Sequence, residues 1–337
     1  MIAGPDRAEV VHGSTVTEPV KFVPTIKVIG IGKCGLEAVN YISKQGLTGV
    51  ELIAIDSDAE ALRRNHATTQ LIITQANIQE RAIRFDLDVS FAMAANSRAQ
   101  IKELLSGADM VVVIAGMGGT TGTGAASVIA QIARELKILS IAIVTQPLPL
   151  PNRLRAYEGN RERFAREGIK LCHIYADALI VLPNPPIEEA ETSVPESYKR
   201  ADSLIYQFVS GLAGLINNQD SIIGSLSDLR LLLFRSGFAK FGSATATRRH
   251  RARIATELAI GNTDISNAKG ILANIISDGS LKLSELTEVM ECIQLNSDNS
   301  KVIQAITYDE SMGDELRVTI MATGFNLSRH LYSGDSK

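Results

Sequence analysis

Cysteine is scarce in this chain: only Cys34, Cys172 and Cys292 occur in 337 residues. They lie far apart, without metal-ligand spacing, and an odd number argues against a disulfide framework. No apolar run reaches about 18 residues, so no transmembrane helix is expected. Residues 1–20 lack an apolar h-region, so no secretory signal is expected either. An excess of one charge sign is missing too: the formal net charge of −3 gives no overall drive toward nucleic acid. The sequence contains no internal repeat and no low-complexity segment. What is present is ordinary globular composition, 45% hydrophobic and 21% charged, enough for a packed core. The expectation is a reduced, cytoplasmic protein of one large or two medium domains.

The informative segment is Gly116-Met117-Gly118-Gly119-Thr120-Thr121-Gly122-Thr123-Gly124. It joins an apolar strand-like run, 110–115, to a helix-like run, 125–136. A tight turn needs one or two glycines; five in nine residues let backbone N–H groups approach a ligand, with the positive end of the next helix behind them. Thr120, Thr121 and Thr123 add hydroxyl donors. The segment is a phosphate cradle, but it lacks the lysine of GxxxxGK[ST] and so is not a P-loop. A second glycine turn, Gly30-Ile31-Gly32-Lys33-Cys34-Gly35, sits between the first strand and the first helix. With Asp56 about 20 positions later it also fits the Rossmann fingerprint, which makes an NAD enzyme the rival reading. Two glycine turns at the carboxyl ends of parallel strands suit instead one nucleotide gripped from both sides. A convincing general base for the NAD enzyme is also missing: His173 precedes a strand and His250 lies in a basic run.

Strands are expected over 26–29, 51–55, 110–115, 140–145 and 178–182, and helices over 36–44, 97–105, 125–136 and 153–167. This alternation predicts a parallel sheet covered on both faces. Four prolines in residues 183–195 interrupt it. A long amphipathic helix follows over 195–216, with Ala201, Ile205, Phe208, Val209, Leu212 and Leu215 on its apolar face. Residues 230–327 read as a second unit. Helices are expected over 229–234 and 247–259, a strand over 270–276 and a helix over 284–292. Strands over 302–307 and 316–322 are expected to pair around a glycine-containing turn.

The order Gly-Gly-x-Thr-Gly-Thr-Gly resembles the signature of the tubulin/FtsZ family, with Thr120 where FtsZ usually has glycine. The likeness runs through residues 25–326. Ile26 to Gly32, Ala38-Val39-Asn40, Ile53 to Leu62 and Gly107-Ala108-Asp109-Met110 are similar to FtsZ, as are Asp309 to Thr319 and Ala322-Thr323-Gly324-Phe325. The resemblance implies GTP or GDP as ligand, with Mg²⁺ on its phosphates and no metal held by side chains alone. The expected grip is formed by Gly30, Gly32, Lys33, Cys34, Gly35, Gly116, Gly118, Gly119, Thr120, Thr121, Gly122, Thr123 and Gly124. Leu182-Pro183-Asn184 resembles the step whose asparagine bonds guanine. Tyr198 and Asp202 stand where the family stacks a ring on the base and reads it with a carboxylate. A carboxylate can accept from both N1–H and N2–H of guanine, donors that adenine lacks, and positions i and i+4 share a helical face. Arg155 falls where the family places an arginine near the terminal phosphate; a solvated helix-face arginine is the equal alternative.

The chain departs from the family in several places. Lys33 can compensate for a thinned first glycine turn as a point charge. Cys34 reads as a small packing residue, and Glu37 would repel phosphate if it pointed inward. The glycine-rich sensor loop is replaced by residues 76–88, with Glu80, Arg81, Arg84 and Asp86; the arginines contact phosphate or face solvent. Pro151 occupies the place of a ribose-contacting glutamate. The family's catalytic loop, which reaches into the next subunit's site, corresponds to a longer segment in which Asn217, Asp220 and Asp228 are the candidates. Arg248-Arg249-His250-Arg251-Ala252-Arg253 is either a solvated helix face or a contact for anionic lipid or a partner.

The expected architecture is α/β: a Rossmann-like GTPase domain with a parallel sheet, a long central helix and a smaller α+β C-terminal domain. Its expected parts are a flexible extension (1–24), the GTP-binding domain (25–195), the central helix and catalytic loop (196–228), the C-terminal domain (229–327) and a short tail (328–337). FtsZ usually continues past Ala-Thr-Gly-Phe into a long linker and a tethering peptide. Here only residues 326–337 follow, so a direct membrane tether is not evident. The resemblance implies head-to-tail filaments of this chain, with another FtsZ-like protein as a further partner, and a GTPase completed by the neighbouring subunit if hydrolysis is retained. A non-hydrolysing GTP-bound scaffold and a nucleotide-regulated binding module are the alternatives.

Overall fold

The computed structural model describes residues 24–73, 87–147, 155–182, 194–217, 226–298 and 300–326. The first part of the chain runs β1 (Ile26–Ile31), α1 (Gly32–Lys44), β2 (Glu51–Asp56), α2 (Ala59–Arg63), β3 (Thr69–Ile72), α3 (Leu87–Asn96), α4 (Arg98–Leu105), β4 (Met110–Gly116), α5 (Thr120–Glu135), β5 (Leu139–Thr145), α6 (Arg155–Tyr175) and β6 (Ala178–Leu182). The 24-residue helix α7 (Val194–Asn217) follows. The remainder is α8 (Leu226–Leu233), β7 (Gly237–Thr247), α9 (Arg251–Thr263), β8 (Gly270–Ser277), α10 (Leu283–Leu295), β9 (Lys301–Tyr308), a 3₁₀ turn (Glu310–Met312) and β10 (Glu315–Phe325).

These strands form one ten-stranded sheet in the order β3-β2-β1-β4-β5-β6-β7-β10-β8-β9. From β3 to β7 every pairing is parallel. The central strands are therefore apolar on both faces, as parallel sheets with helical covers require. Alternate residues of β4 divide between two cores: Val111, Val113 and Ala115 pack with α4, α5 and α6, while Met110, Val112 and Ile114 pack with α1 and α7. The second core extends along the sheet to Leu272, Ala305 and Met321, with Ile205, Phe208, Val209, Leu212 and Leu215 of α7 lying across it. A third core joins α9 and α10 to the opposite face of β8 and β10 through Ile271, Ala273, Ile275 and Val318.

Several expectations need correction. β9 and β10 do not pair with each other: β9 pairs parallel with β8, and β10 runs antiparallel between β7 and β8. The burial pattern explains this. β10 is buried along most of its length, as an inner strand is, whereas the first half of β9 is partly open, as an edge is. Strands β3 and β7 were not anticipated, and α6 extends to Tyr175. The basic run is not a uniform face either. Arg251 is buried, donating to Glu285 through Nε at 2.8 Å and Nη2 at 3.1 Å, to Ser280 and to the Asp314 carbonyl. Arg248, Arg249, His250 and Arg253 are exposed around it.

Candidate functional site

Parallel strands send their carboxyl ends, and the helix starts that follow, to one edge of the sheet. There α1 begins directly after β1, and α5 begins after β4 through Met117, Gly118 and Gly119. Neither helix has a side-chain cap at its N-terminus, and neither has an acidic residue in its first turn. Unfilled backbone N–H groups and a positive helix end are the requirements of an anion site.

The two turns touch. A side-chain carbon on Gly32, whose φ is +65°, would come 3.3 Å from the Gly122 nitrogen. Ser57, just past β2, joins the group, its hydroxyl 3.1 Å from that of Thr121. Gly119 opens onto empty space, with nothing within 4 Å of where its Cβ would stand.

Other expected residues lie behind this surface and shape it. A Cβ on Gly30 would strike the Gly35 carbonyl oxygen at 2.2 Å, and one on Gly35 the Ile114 oxygen at 2.5 Å, so this pair serves the close approach of α1 to the sheet. Gly116 packs on Cys34, Gly122 on the Gly116 carbonyl and Gly124 on Ser90 of α3. Thr123 is fully buried, and its hydroxyl accepts the Gly118 N–H at 2.9 Å. Cys34 sits 3.5 Å from the Thr145 hydroxyl, and burial pushes its thiol pKa up, as befits a packing residue. Lys33 and Glu37 are exposed on α1. Thr120 and Thr121 open α5.

Asp56 argues against the dinucleotide reading. Its carboxylate is buried and accepts the N–H groups of Ser57 at 2.6 Å and Asp58 at 3.3 Å. It is committed to its own turn, not presented to a ribose.

Asp202 lies on α7 beside α1. Burial, then the nearby charge of Glu37, raises its pKa to about 6. The side chains of Arg155, Tyr198 and Asn217 fall outside the described residues, as do Asn184, Asp220, Pro151 and the segment with Glu80, Arg81, Arg84 and Asp86. Arg161, not among the expected site residues, borders the second glycine turn. A Cβ on Gly118 would meet its Cγ at 2.8 Å, which puts its stem against the second glycine turn. One signal was available: Arg161 precedes Phe164 and Ala165, which are buried in α6, and that register fixes its face of the helix.

Asp228 lies elsewhere, in the first turn of α8. Arg230 of that helix donates to the carbonyl of Lys137, just before β5, at the amino end of the strands. From Asp202 to Asn217 the central helix spans about 22 Å at 1.5 Å per residue. The glycine turns and Asp228 thus occupy opposite edges of one molecule.

Touching glycine turns, two uncapped helix starts and a doubly wound sheet define a phosphate-gripping α/β nucleotide-binding protein. The family model "Tubulin/FtsZ family, GTPase domain" matches residues 25–191, and "FtsZ family, C-terminal domain" matches residues 237–326. The chain belongs to the tubulin/FtsZ family and carries its GTPase domain. It is 36% identical over 310 residues to the cell division protein FtsZ of Pseudomonas putida, covering 89% of this chain and 76% of the relative. Among solved structures it is similar to the empty FtsZ dimer of M. jannaschii, with a TM-score of 0.78 and 28% identity over 89% of this chain and 88% of the other. CetZ2 of Haloferax volcanii, a GTPgS-bound protofilament, shares the fold at a TM-score of 0.74 and 18% identity, covering 93% of this chain and all of the other. No helix among the described residues is long and apolar enough to cross a membrane.

Proposed function

We propose that this chain binds GTP across the Gly30–Gly35 and Gly116–Gly124 turns and assembles head to tail into filaments, each interface placing one subunit's Asp228 edge over the next subunit's nucleotide. The observation that carries this reading is the contact between Gly32 and Gly122, which makes two anion-binding helix starts a single site. Phosphate would lie against Gly119, Thr120, Thr121 and the first turn of α1, with Lys33 as a point charge and the guanidinium of Arg161 at the terminal phosphate. Asn184, Tyr198 and Asp202 would hold the base. Asp228 cannot reach a nucleotide in its own subunit, so a second copy must supply it, together with Asn217 and Asp220. An interface of two different surfaces propagates into a filament when its rotation does not close.

Among the described residues no group of three or more His, Cys, Asp or Glu side chains could cage a metal. The hydroxyls of Ser57 and Thr121 are hard oxygen donors that fit Mg²⁺ bound mainly by phosphate and water. When present, the ion would neutralise charge on the phosphates. A second reading, a GTP-bound scaffold without turnover, is favoured by the position of Asp228: in the first turn of α8 a carboxylate already stabilises the helix start.

Sedimentation and phosphate release with GTP, GDP and ATP test the proposal. GTP-dependent pelleting with phosphate release supports it. Pelleting without release selects the scaffold, and no preference for GTP over ATP overturns the nucleotide assignment.

A further inference from the structure

Helix α9 turns its small apolar residues inward and its large ones outward. Ala252, Ala255 and Ala259 are fully buried, whereas Ile254 and Leu258, one turn apart on the same face, are 42% and 53% exposed. Close packing explains the inner face: a Cβ on Gly242 of β7 would come 2.5 Å from the Ala259 carbonyl oxygen, so only small residues fit between helix and strand. It does not explain the outer face, where polar side chains would serve the fold equally well. Around that apolar pair the chain is basic, with Arg248, Arg249, His250 and Arg253 all exposed. Other arginines near the surface are paired: Arg64 with Glu60, Arg98 with Glu135 and Arg166 with Glu162. Arg248, Arg249 and Arg253 have no hydrogen-bond or ion-pair partner among the described residues. The acids Asp278, Glu285 and Asp314 act instead on the buried Arg251. Glu257 is balanced by Arg253, since Cys292 of α10 feels both charges. The turn that presents the basic groups holds Arg248 and His250 at φ values of +67° and +63°, a left-handed backbone that such side chains ordinarily avoid.

We propose that the outer face of α9 docks on an anionic lipid bilayer, with Arg248, Arg249 and Arg253 at headgroup phosphates and Ile254 and Leu258 among the upper acyl carbons. The boundary of a bilayer meets both needs at neighbouring depths: phosphate for unpaired guanidinium groups and hydrocarbon just beneath for the apolar pair. A folded partner would need a complementary hollow, whereas lipid adapts to a convex helix. Gly261, one turn beyond Leu258, has nothing within 4 Å of where its Cβ would stand, so the outer face continues open along the helix. The face of the sheet that α9 covers is opposite to the one covered by α7, and docking there leaves both strand edges free.

Flotation of the whole chain without nucleotide tests this, using phosphatidylcholine vesicles with and without phosphatidylglycerol, and polyglutamate as a soluble polyanion. Wild type is expected to float with the phosphatidylglycerol vesicles alone, less so as salt rises. Each arginine at an anionic surface is worth about fivefold, so replacing all three (Arg248→Gln, Arg249→Gln and Arg253→Gln) should weaken binding by about a hundredfold. Lysine at the same three positions keeps the charge and should restore most of it, which separates lost charge from a damaged fold. The chain has no tryptophan, so Leu258→Trp introduces a single fluorescent reporter. Its emission should shift to the blue on phosphatidylglycerol vesicles, whereas that of Leu231→Trp, 65% exposed on α8 across the sheet, should not. Failure to float, equal binding to phosphatidylcholine, or a glutamine triple variant that binds like wild type would overturn the inference. Arginine-dependent binding of polyglutamate with no blue shift of Leu258→Trp on vesicles would also overturn it, and would assign the arginines to an acidic protein partner.

Discussion

Asn274 of β8 reaches from the sheet to the main chain of the central helix, its Nδ2 donating to the Gly211 carbonyl at 3.2 Å. Its other end accepts the Thr307 hydroxyl of β9 at 3.1 Å. Asn274 and Gly211 border an apolar gap also lined by Phe208, Phe241, Leu272 and Met321. The amide therefore ties α7 by a directional bond to the part of the sheet that follows it, beside a place where apolar packing is incomplete.

Removing that tie has a calculable effect. Asn274→Ala breaks both bonds in a buried setting, so chemical denaturation should show a loss of about 1–3 kcal/mol. A variant as stable as the wild type would mean that the gap, not the amide, sets the helix position.

The glycines of the two turns should separate into two behaviours. Gly30→Ala puts a methyl group 2.2 Å from the Gly35 carbonyl oxygen, and backbone cannot yield there as a flexible side chain can. It should cost more than the usual 1–3 kcal/mol of overpacking and should appear as insoluble or unfolded protein. Gly119→Ala has open space and a φ of −101°, so the fold should be retained. Its effect should appear only on GTP affinity, because the methyl group stands where phosphate would approach. Thermal melts with and without GTP distinguish the two; a soluble, stable Gly30→Ala protein would refute the packing assignment.

These roles mark how far the sequence was readable. The glycine turns, the alternation of 110–182 and the long helix were legible because apolar period and glycine density are local signals. Which glycine faces a ligand was not, since Gly35, Gly116 and Gly124 are fixed by Ile114, Cys34 and Ser90, neighbours far along the chain. Strand β7 was missed for a related reason: Gly-Phe-Ala-Lys-Phe-Gly-Ser-Ala-Thr-Ala-Thr has no apolar run and weak strand propensity. It becomes a strand because β6 and β10 supply partners on both sides. Five arginines in residues 153–166 offer no local way to choose among them. The contact with Gly118 brings Arg161 to the second glycine turn, a neighbour the local pattern does not show.

Asp202 should trade stability against binding. Its pKa in the fold is near 6, above the ordinary carboxylate range, so the native state holds the proton more tightly than the unfolded chain does. Ionising it therefore lowers stability as pH rises from the ordinary range to about 6, and the loss is complete above that. Asp202→Asn cancels the loss. The empty variant should melt at a higher temperature than wild type at pH 7.5, by a smaller margin at pH 5, and at nearly the same temperature only below the ordinary carboxylate range. It should also bind GTP at least about tenfold more weakly, because an acceptor of two N–H groups has become an amide. Wild-type GTP affinity should fall as pH drops through 6, where the carboxylate takes up its proton. A variant less stable than wild type at pH 7.5 would show that Asp202 is held by a compensating partner and does not await one.

The separation of Asp228 from the glycine turns yields the most discriminating outcome. Arg161→Ala should impair the phosphate end of a subunit, and Asp228→Ala the opposite edge. Each variant alone then has every interface defective, and its GTP turnover should be low. In a one-to-one mixture that co-assembles at random, about a quarter of the head-to-tail contacts join an intact glycine site to an intact Asp228 edge. Turnover should recover toward about a quarter of the wild-type rate on mixing, and only above the concentration at which filaments form. A site complete within one subunit would give no recovery at any concentration. Both variants keep the glycine turns, so nucleotide binding by each alone provides the control that separates failed assembly from a failed site.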